Sequence, residues 1–162
     1  MNSKAAVSPD IQNVEGDQKY VPFAPGFLTD PLEPFNNVHL KGSRCLSCGI
    51  TLFGARYACE NCCSKELENV TLSREGKIYS YTIAHYPPPP PYAGPIDPFV
   101  PYAIAWVDLS DSVRVLSTLT DCKFENLEIG LDVELVIKKG WTDKNGNQVV
   151  TYSFKPISTG KI

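Results

Sequence analysis

Two Cys-x2-Cys pairs constrain the fold of this chain more than any other feature of its sequence. Cys45 and Cys48 form the first pair, and Cys59 and Cys62 form the second after a gap of ten residues. Each short loop presents two thiolates on one side of the backbone, and a hairpin between the loops brings four together. Reduced core cysteines would not need this regular spacing. The sequence therefore predicts a four-cysteine metal site.

Zinc is the expected metal at this site. Four thiolates complete a tetrahedral shell and leave no position for a water molecule, so the metal is expected to stabilise a segment too small to fold alone. Iron in a rubredoxin-like site uses the same ligands and is the less favoured alternative. Cys63, which adjoins a ligand, is interpreted as a bystander, and Cys122 as a small buried apolar residue.

The rest of the chain divides around the cysteine segment, 42–69. Residues 1–41 contain five prolines and several large apolar side chains, which prevents a long helix and predicts an extended arm. Such an arm either packs along its own domain or reaches onto a partner. Phe27 and Phe35 are its candidate partner contacts, and a short helical turn is predicted between residues 34 and 40.

Residues 70–162 are predicted to form a small β-barrel. Their β-branched and aromatic runs are bounded by turn residues and separated by no long helical period; the runs are 77–86, 102–109, 113–120, 132–139 and 149–154. The sequence KNGN before the last run is a strong hairpin signal. Five short strands favour a five-stranded OB fold, so the fold class is mostly β: arm, zinc ribbon, then barrel.

A proline-rich segment, HYPPPPPYAGPIDPFVPY at residues 85–102, joins the first two predicted strands. Consecutive prolines favour a stiff polyproline II rod, so this loop is expected to be long without being floppy. Its polar and aromatic side chains are candidates for contact with substrate or partner: His85, Tyr86, Tyr92, Phe99 and Tyr102.

Catalytic machinery is not predicted anywhere in the chain. It has two histidines, His39 and His85, and neither Cys63 nor Cys122 has a histidine nearby in sequence to activate it. The sequence contains no GxSxG elbow, phosphate-cradling loop or HExxH motif. A stand-alone acyl-CoA enzyme using His85 is therefore a minor hypothesis.

Charge and aromatic content bear on the choice of partner. The net charge is −3 and the isoelectric point is near 5.4, whereas nucleic-acid modules usually carry a basic face. The barrel aromatics could form a stacking platform, but core and rim positions are favoured for them: Tyr79, Tyr81, Tyr102, Trp106, Trp141, Tyr152 and Phe154. An OB-fold binder of single-stranded nucleic acid is thus the alternative hypothesis, and no stretch has the length of a membrane span.

Taken in order, several motifs resemble one protein family. They are RCLSCG (44–49), CENC (59–62), GKIYSYTIAH (76–85), PYAIAWVDL (101–109) and IGLDVEL (129–135). This arrangement is similar to that of acyl-CoA-associated proteins with a rubredoxin-like zinc ribbon followed by an OB fold. The chain departs from the family at Cys63, where a glycine is usual, and in its proline-rich first barrel loop.

The resemblance implies an accessory role in a hetero-oligomer. Proteins of this family look like partners of thiolase-fold enzymes that act on CoA thioesters, and the partner supplies catalysis. It implies that the metal site is structural, with Cys45, Cys48, Cys59 and Cys62 as ligands and zinc as the metal. An acyl-CoA is then the substrate of the complex, no nucleic acid or membrane is involved, and the expected location is the cytoplasm.

Overall fold

A computed structural model of the chain describes residues 19–88 and 97–157. Residues 1–18 of the predicted arm and Tyr92 of the proline-rich loop lie outside the described residues. The described part contains nine strands: β1 (Tyr20–Pro22), β2 (Lys41–Cys45), β3 (Thr51–Phe53), β4 (Leu67–Thr71), β5 (Glu75–Ala84), β6 (Tyr102–Leu109), β7 (Arg114–Thr118), β8 (Asp132–Thr142) and β9 (Gln148–Pro156). No helix among these residues has the length and apolar character needed to cross a membrane.

The strands form two sheets, and together they confirm the predicted mostly-β fold. A three-stranded antiparallel sheet, in the order β3-β2-β4, carries the cysteine pairs and is called the ribbon here. A six-stranded sheet has the order β1-β9-β8-β5-β6-β7, and its strands β5 to β9 correspond to the five predicted barrel strands. Strand β1 was not predicted. It joins the edge of β9 in parallel.

Alternating side chains build the barrel core. The inward positions on neighbouring strands are apolar and at most 1% exposed: Ala103, Ala105, Val107, Val115, Val133, Leu135 and Phe154. Burying this surface is the main contribution to barrel stability. The KNGN hairpin is also confirmed, since Asp143 accepts hydrogen bonds from the backbone of Asn145 and Asn147 while Gly146 adopts a φ of +83°.

A β-bulge interrupts the alternation on β5 between Ile78 and Ser80. Ile78 points inward opposite Val107, whereas Ser80 lies opposite Trp106 on the outer face of the sheet. The extra residue leaves Tyr79 on that outer face too. The favoured core-and-rim interpretation of the barrel aromatics therefore holds for the buried Phe154 and fails for Tyr79 and Trp106.

The barrel is not closed by a continuous backbone ladder. Between β7 and β9 the backbone contributes one parallel bridge, at Leu119 and Phe154. Side chains of β9 complete the seam: the hydroxyl of Tyr152 donates to the carbonyl of Leu116 at 2.9 Å, and that of Ser153 donates to the carbonyl of Thr118 at 2.6 Å. The carbonyls of Leu116 and Thr118 thus receive hydrogen bonds from side-chain hydroxyls, whereas in a closed barrel the backbone of the next strand would supply the donors.

Described residues of the arm pack along the chain's own domain. The side chains of Leu28, Val38 and Leu40 are at most 2% exposed and belong to the core. Phe35 lies edge-on to Tyr20 with ring centroids 5.3 Å apart, in a 3₁₀ turn that spans Phe35–Asn37. This part of the arm thus packs on its own domain, and docking of the arm on a partner stays a prediction.

Four aromatic rings join the three parts of the fold and are called the aromatic cluster. Phe23 and Phe27 come from the arm, Phe53 from the ribbon and Tyr152 from the barrel, with adjoining ring centroids 4.9 to 5.9 Å apart. Gly54 makes room for this contact, because a Cβ there would lie 2.7 Å from the Phe27 ring. The cluster fixes the orientation of the ribbon on the barrel.

A second connection between ribbon and barrel is polar. The Arg74 guanidinium donates to the carbonyls of Val38, in the arm, and Leu135, in β8. The backbone N–H of Leu135 donates in turn to the Arg74 carbonyl at 2.7 Å. Arg74 thus connects the linker between the two sheets to the arm and to strand β8 of the barrel.

Replacing Tyr152 with phenylalanine should destabilise the fold by about 1 kcal/mol, because the seam loses the hydrogen bond to Leu116 while the ring contacts remain. Urea unfolding at neutral pH measures this free energy. Tyr57→Phe is the matched control, since the Tyr57 ring is 80% exposed. Equal unfolding free energies for the two variants would contradict the role given to the seam.

Tyr152 should also make the free energy of unfolding depend on pH. Burial raises the pKa of Tyr152 from 10.0 to about 12. The unfolded chain then ionises this phenol at a lower pH than the folded one does, so the stabilisation is complete below about pH 10 and is lost between about pH 10 and 12. The wild type should lose up to about 2.7 kcal/mol more than Tyr152→Phe across this window. Unfolding free energies at about pH 9 and about pH 11 test this, and a constant difference between the two proteins would refute it.

Candidate metal centre

The four predicted ligands come together at one end of the ribbon. The Sγ atoms of Cys45, Cys48, Cys59 and Cys62 all lie within 4.8 Å of one another, and the pairs Cys45 and Cys62, and Cys48 and Cys59, are 3.6 Å apart. A tetrahedral site with metal–sulfur bonds of about 2.3 Å requires sulfur atoms about 3.8 Å apart. The donor set and its spacing therefore fit a four-coordinate metal ion such as Zn²⁺, which would staple the ribbon.

Two knuckles of matching backbone geometry present these sulfurs. In the first, the N–H of Cys45 donates to the carbonyl of Ile50, and the N–H of Gly49 donates back to Cys45. In the second, Cys59 donates to Ser64, and Cys63 donates back to Cys59. All four hydrogen bonds measure 2.8 or 2.9 Å. Each knuckle thus repeats one local structure at the same offsets from its first cysteine.

Cys63 takes the place in the second knuckle that Gly49 takes in the first. Both residues have a left-handed backbone, with φ of +60° for Cys63 and +79° for Gly49. A glycine adopts this conformation without strain, which explains why a glycine suits this position. The side chain of Cys63 is exposed and is not part of the four-sulfur cluster. Its backbone position, rather than its thiol, is what the knuckle uses.

Hydrogen bonds to sulfur set the electrostatics of the site. The backbone N–H of Ile50 and the side-chain amide of Asn61 donate to Cys48 and lower its pKa to about 6. At Cys62 the backbone N–H of Ser64 lowers the pKa, but the neighbouring thiols and burial outweigh it and raise the pKa to about 12. A metal ion that binds here displaces the proton of Cys62, so binding is coupled to proton release.

Polar side chains around the knuckles hold the ribbon together. The hydroxyl of Ser47, in the first knuckle, donates to the hydroxyl of Ser64, in the second, at 2.8 Å. Ser43 is fully buried in β2, where it donates to the carbonyl of Gly54 and accepts from the N–H of Arg56. Sequence reasoning missed these supports, although hydroxyl and amide residues inside Cys-x2-Cys loops are the signal that could have found them.

The other predicted site residues lie elsewhere. His85 and Tyr86 are exposed beyond the end of β5. Tyr102 pairs with Ala84 at that end, and its ring lies 6.0 Å from that of Phe99. The loop residues that the structure describes are thus brought to one end of the β5–β6 ladder, with Tyr92 outside the described residues.

The two arm candidates make contacts within the chain. Phe27 packs edge-on against Phe53, and Phe35 packs against Tyr20. His39 has a ring nitrogen 3.2 Å from the carbonyl of Leu72. These rings therefore contribute to internal packing. A partner can contact only the part of each ring that stays exposed.

Comparison with known proteins identifies related chains. A family model described as the C-terminal OB-fold domain of ChsH2 matches residues 69–138. A DUF35 domain-containing scaffold protein of Methanocaldococcus jannaschii is 36% identical over 121 residues, which cover 73% of this chain and 82% of that protein. The benzoylsuccinyl-CoA thiolase subunit BbsA of Geobacter metallireducens is 33% identical over 120 residues, covering 74% and 76%.

A solved structure shows a similar fold. It is described as an Ltp2-ChsH2(DUF35) aldolase, and its matching chain is 27% identical in sequence with a TM-score of 0.54. The match covers 73% of this chain and 84% of that one. Likeness thus extends over most of both chains.

Replacing Cys62 with serine should abolish stoichiometric zinc binding and lower the unfolding temperature of the zinc-loaded protein, because three thiolates hold the metal far less tightly than four. Zinc content after dialysis, measured by mass spectrometry, and thermal unfolding test this.

Cys63→Ser is the matched control, because residues 62 and 63 are adjacent and both are exposed. This variant should keep one zinc per chain and the wild-type unfolding temperature. Loss of zinc from Cys63→Ser, or retention of zinc by Cys62→Ser, would contradict the ligand assignment.

Proposed function

We propose that this chain, which belongs to the family of DUF35 domain-containing scaffold proteins, is a non-catalytic accessory subunit of a thiolase-type complex that acts on CoA thioesters. The observation that carries the proposal is its 33% identity to a protein named as a thiolase subunit, over three quarters of both chains. The similar fold in a structure described as an Ltp2-ChsH2(DUF35) aldolase supports an accessory role beside a carbon–carbon bond-forming or bond-breaking enzyme.

The chemistry of the cysteine cluster supports a structural role for this chain. Four sulfur ligands complete the shell of a tetrahedral ion, so a metal held there has no position left to polarise a carbonyl or activate water. We propose that the ion is zinc. Iron would occupy the same ligands, and the colour and redox behaviour of the purified protein distinguish the two.

The exposed end of the β5–β6 ladder is the proposed site of contact with the catalytic subunit near the acyl-CoA. Tyr86 is 78% exposed and Val100 is 59% exposed there, beside His85 and Tyr102. Large apolar side chains at a loop end favour burial against another surface. In this role the chain positions the substrate and excludes water, while the partner transfers protons and forms the covalent intermediate.

The name of one relative suggests a substrate. We propose that the complex thiolyses benzoylsuccinyl-CoA or a related aryl-substituted acyl-CoA, as in anaerobic toluene degradation, and works in the cytoplasm. The support for this substrate is the name of the thiolase subunit to which the chain is similar.

A tagged full-length chain should co-purify from its source cell with a thiolase-fold subunit. The complex should cleave or form acyl-CoA carbon–carbon bonds, whereas the chain alone should turn over no acyl-CoA. Thiolysis of benzoylsuccinyl-CoA, followed by loss of free CoA thiol, measures the activity of the complex.

The proposal also predicts the behaviour of the partner on its own. Omitting this chain should lower the activity of the thiolase-fold subunit at least about tenfold, because the substrate entrance is then incomplete. A partner that is fully active and stable alone, or a purified chain that turns over an acyl-CoA by itself, would disprove the accessory role.

A further inference from the structure

Three large side chains on adjacent strands form an exposed surface that the proposed function does not yet use. Tyr79 on β5, Trp106 on β6 and Leu116 on β7 are 51%, 43% and 48% exposed. Trp106 lies directly opposite Leu116 in the β6–β7 ladder and opposite the bulge on β5. These three residues are called the outer-face patch.

A β-bulge on β5 lies beside this patch. Without an extra residue, strict alternation after the inward-facing Ile78 would place Tyr79 outward and Ser80 inward. With it, Ser80 also lies opposite Trp106, and Tyr81 pairs with Ala105. Bulges re-aim side chains and are frequent beside functional sites. Here the bulge adds Ser80 to the outer face next to Tyr79, so that two residues of β5 lie opposite Trp106.

An arginine holds the tyrosine of the patch in place. The guanidinium of Arg114 lies over the Tyr79 ring, 3.2 Å from its centroid. Two hydrogen bonds to the Asp108 carboxylate, 2.5 and 3.0 Å long, fix its orientation. The same contact lowers the pKa of Asp108 below its usual range, so the pair stays charged at neutral pH. The ring of Tyr79 is therefore held in place within the chain itself.

Charges at the border of the patch are balanced within the chain. The row of residues next to it contains Lys77, Asp108 and Arg114. Lys77 pairs with Asp132 at 2.5 Å, and Arg114 pairs with Asp108. Along this row, a partner that covers the patch therefore meets no charge that needs a counter-ion from it. Charge complementarity then favours a partner surface that is apolar and uncharged at its centre.

We propose that the outer-face patch is a second surface, in addition to the end of the β5–β6 ladder, through which this chain docks on its catalytic thiolase-type subunit, and that this subunit offers the patch an apolar, uncharged face. This inference rests on the proposed function and adds to it the location and chemistry of the contact.

Residue types and position in the fold support docking here. Tryptophan, tyrosine and arginine are the residues most enriched among those that dominate binding energy at protein interfaces, and rigid, pre-ordered side chains lose little entropy on binding. Strands β6 and β7 are the second and third of the five barrel strands, which form the usual ligand face of OB folds. Single-stranded nucleic acid suits this face poorly, because Lys77 and Arg114 are already paired and offer phosphates no free charge.

Fluorescence can report directly on the patch, because the chain has two tryptophans. In the full-length Trp141→Phe variant, Trp106 is the sole tryptophan. Adding the purified thiolase-type subunit to saturation should shift its emission to the blue and reduce acrylamide quenching at least about threefold, as expected when a half-exposed indole becomes buried. The matched measurement uses Trp106→Phe, in which the 50% exposed Trp141 should show no change.

Affinity provides the second test. Trp106→Ser should weaken binding to the catalytic subunit by about 30-fold, the size expected for a residue that dominates an interface. Trp141→Ser, which removes an equally exposed tryptophan outside the patch, should bind like the wild type. Leu116→Lys, which places an unpaired charge in the patch, should weaken binding as strongly as Trp106→Ser. Circular dichroism and zinc content confirm that each variant is folded.

The remaining outcomes distinguish failure of the proposed docking surface from failure of the proposed function. If the complex forms but Trp106 stays open to quencher and Trp106→Ser binds normally, the patch is not the docking surface, while the accessory function stands. If no thiolase-type subunit binds the wild type, the proposed function itself fails. Shielding of Trp106 by an oligothymidylate, or by raising the concentration of the chain alone, would assign the patch to nucleic acid or to self-association and overturn the inference.

Discussion

The ring of Tyr152 packs against Phe23 of the arm and Phe53 of the ribbon, while its hydroxyl donates to the carbonyl of Leu116 at the barrel seam. One side chain therefore links the orientation of the ribbon to the closure of the barrel. The described part of the arm depends on the same contact, since Phe23 and Phe27 reach the ribbon through this cluster. Burial raises the pKa of this phenol to about 12, so its hydroxyl still donates this hydrogen bond at about pH 10.

Sequence patterns predicted those parts of the molecule that depend on local chemistry. The spacing of the cysteines identified the four sulfurs that the structure brings together, and turn residues and β-branched runs identified strands β5 to β9. Features that depend on distant partners were missed. Strand β1 exists because β9 offers it an edge, and Arg74 acts through carbonyls of residues 38 and 135, which no local pattern reveals.

The metal centre shows how a repeated local structure can tolerate one unusual residue. Both knuckles close through the N–H of the fourth residue after the first cysteine, which is Gly49 in one and Cys63 in the other. The sulfurs of Cys45 and Cys59 are buried against the ribbon, and those of Cys48 and Cys62 face solvent. The four-cysteine cluster thus links the two knuckles to each other through the exposed Cys48 and Cys62. It links them to the ribbon through the buried Cys45 and Cys59, which suits a structural role.

The single extra residue in β5 has a consequence for how sequences of this fold can diverge. Before the bulge, the residues of β5 follow one inside–outside parity, and after it they follow the opposite one, as the pairing of Ile78 with Val107 and of Ser80 with Trp106 shows. Deleting Tyr79 or Ser80 would remove the bulge and leave one side chain instead of two opposite Trp106, whereas Tyr81 and the residues after it would keep their partners on β6. The outer face beside Trp106 can therefore gain or lose one side chain while the half of β5 that leads to the proline-rich loop keeps its register.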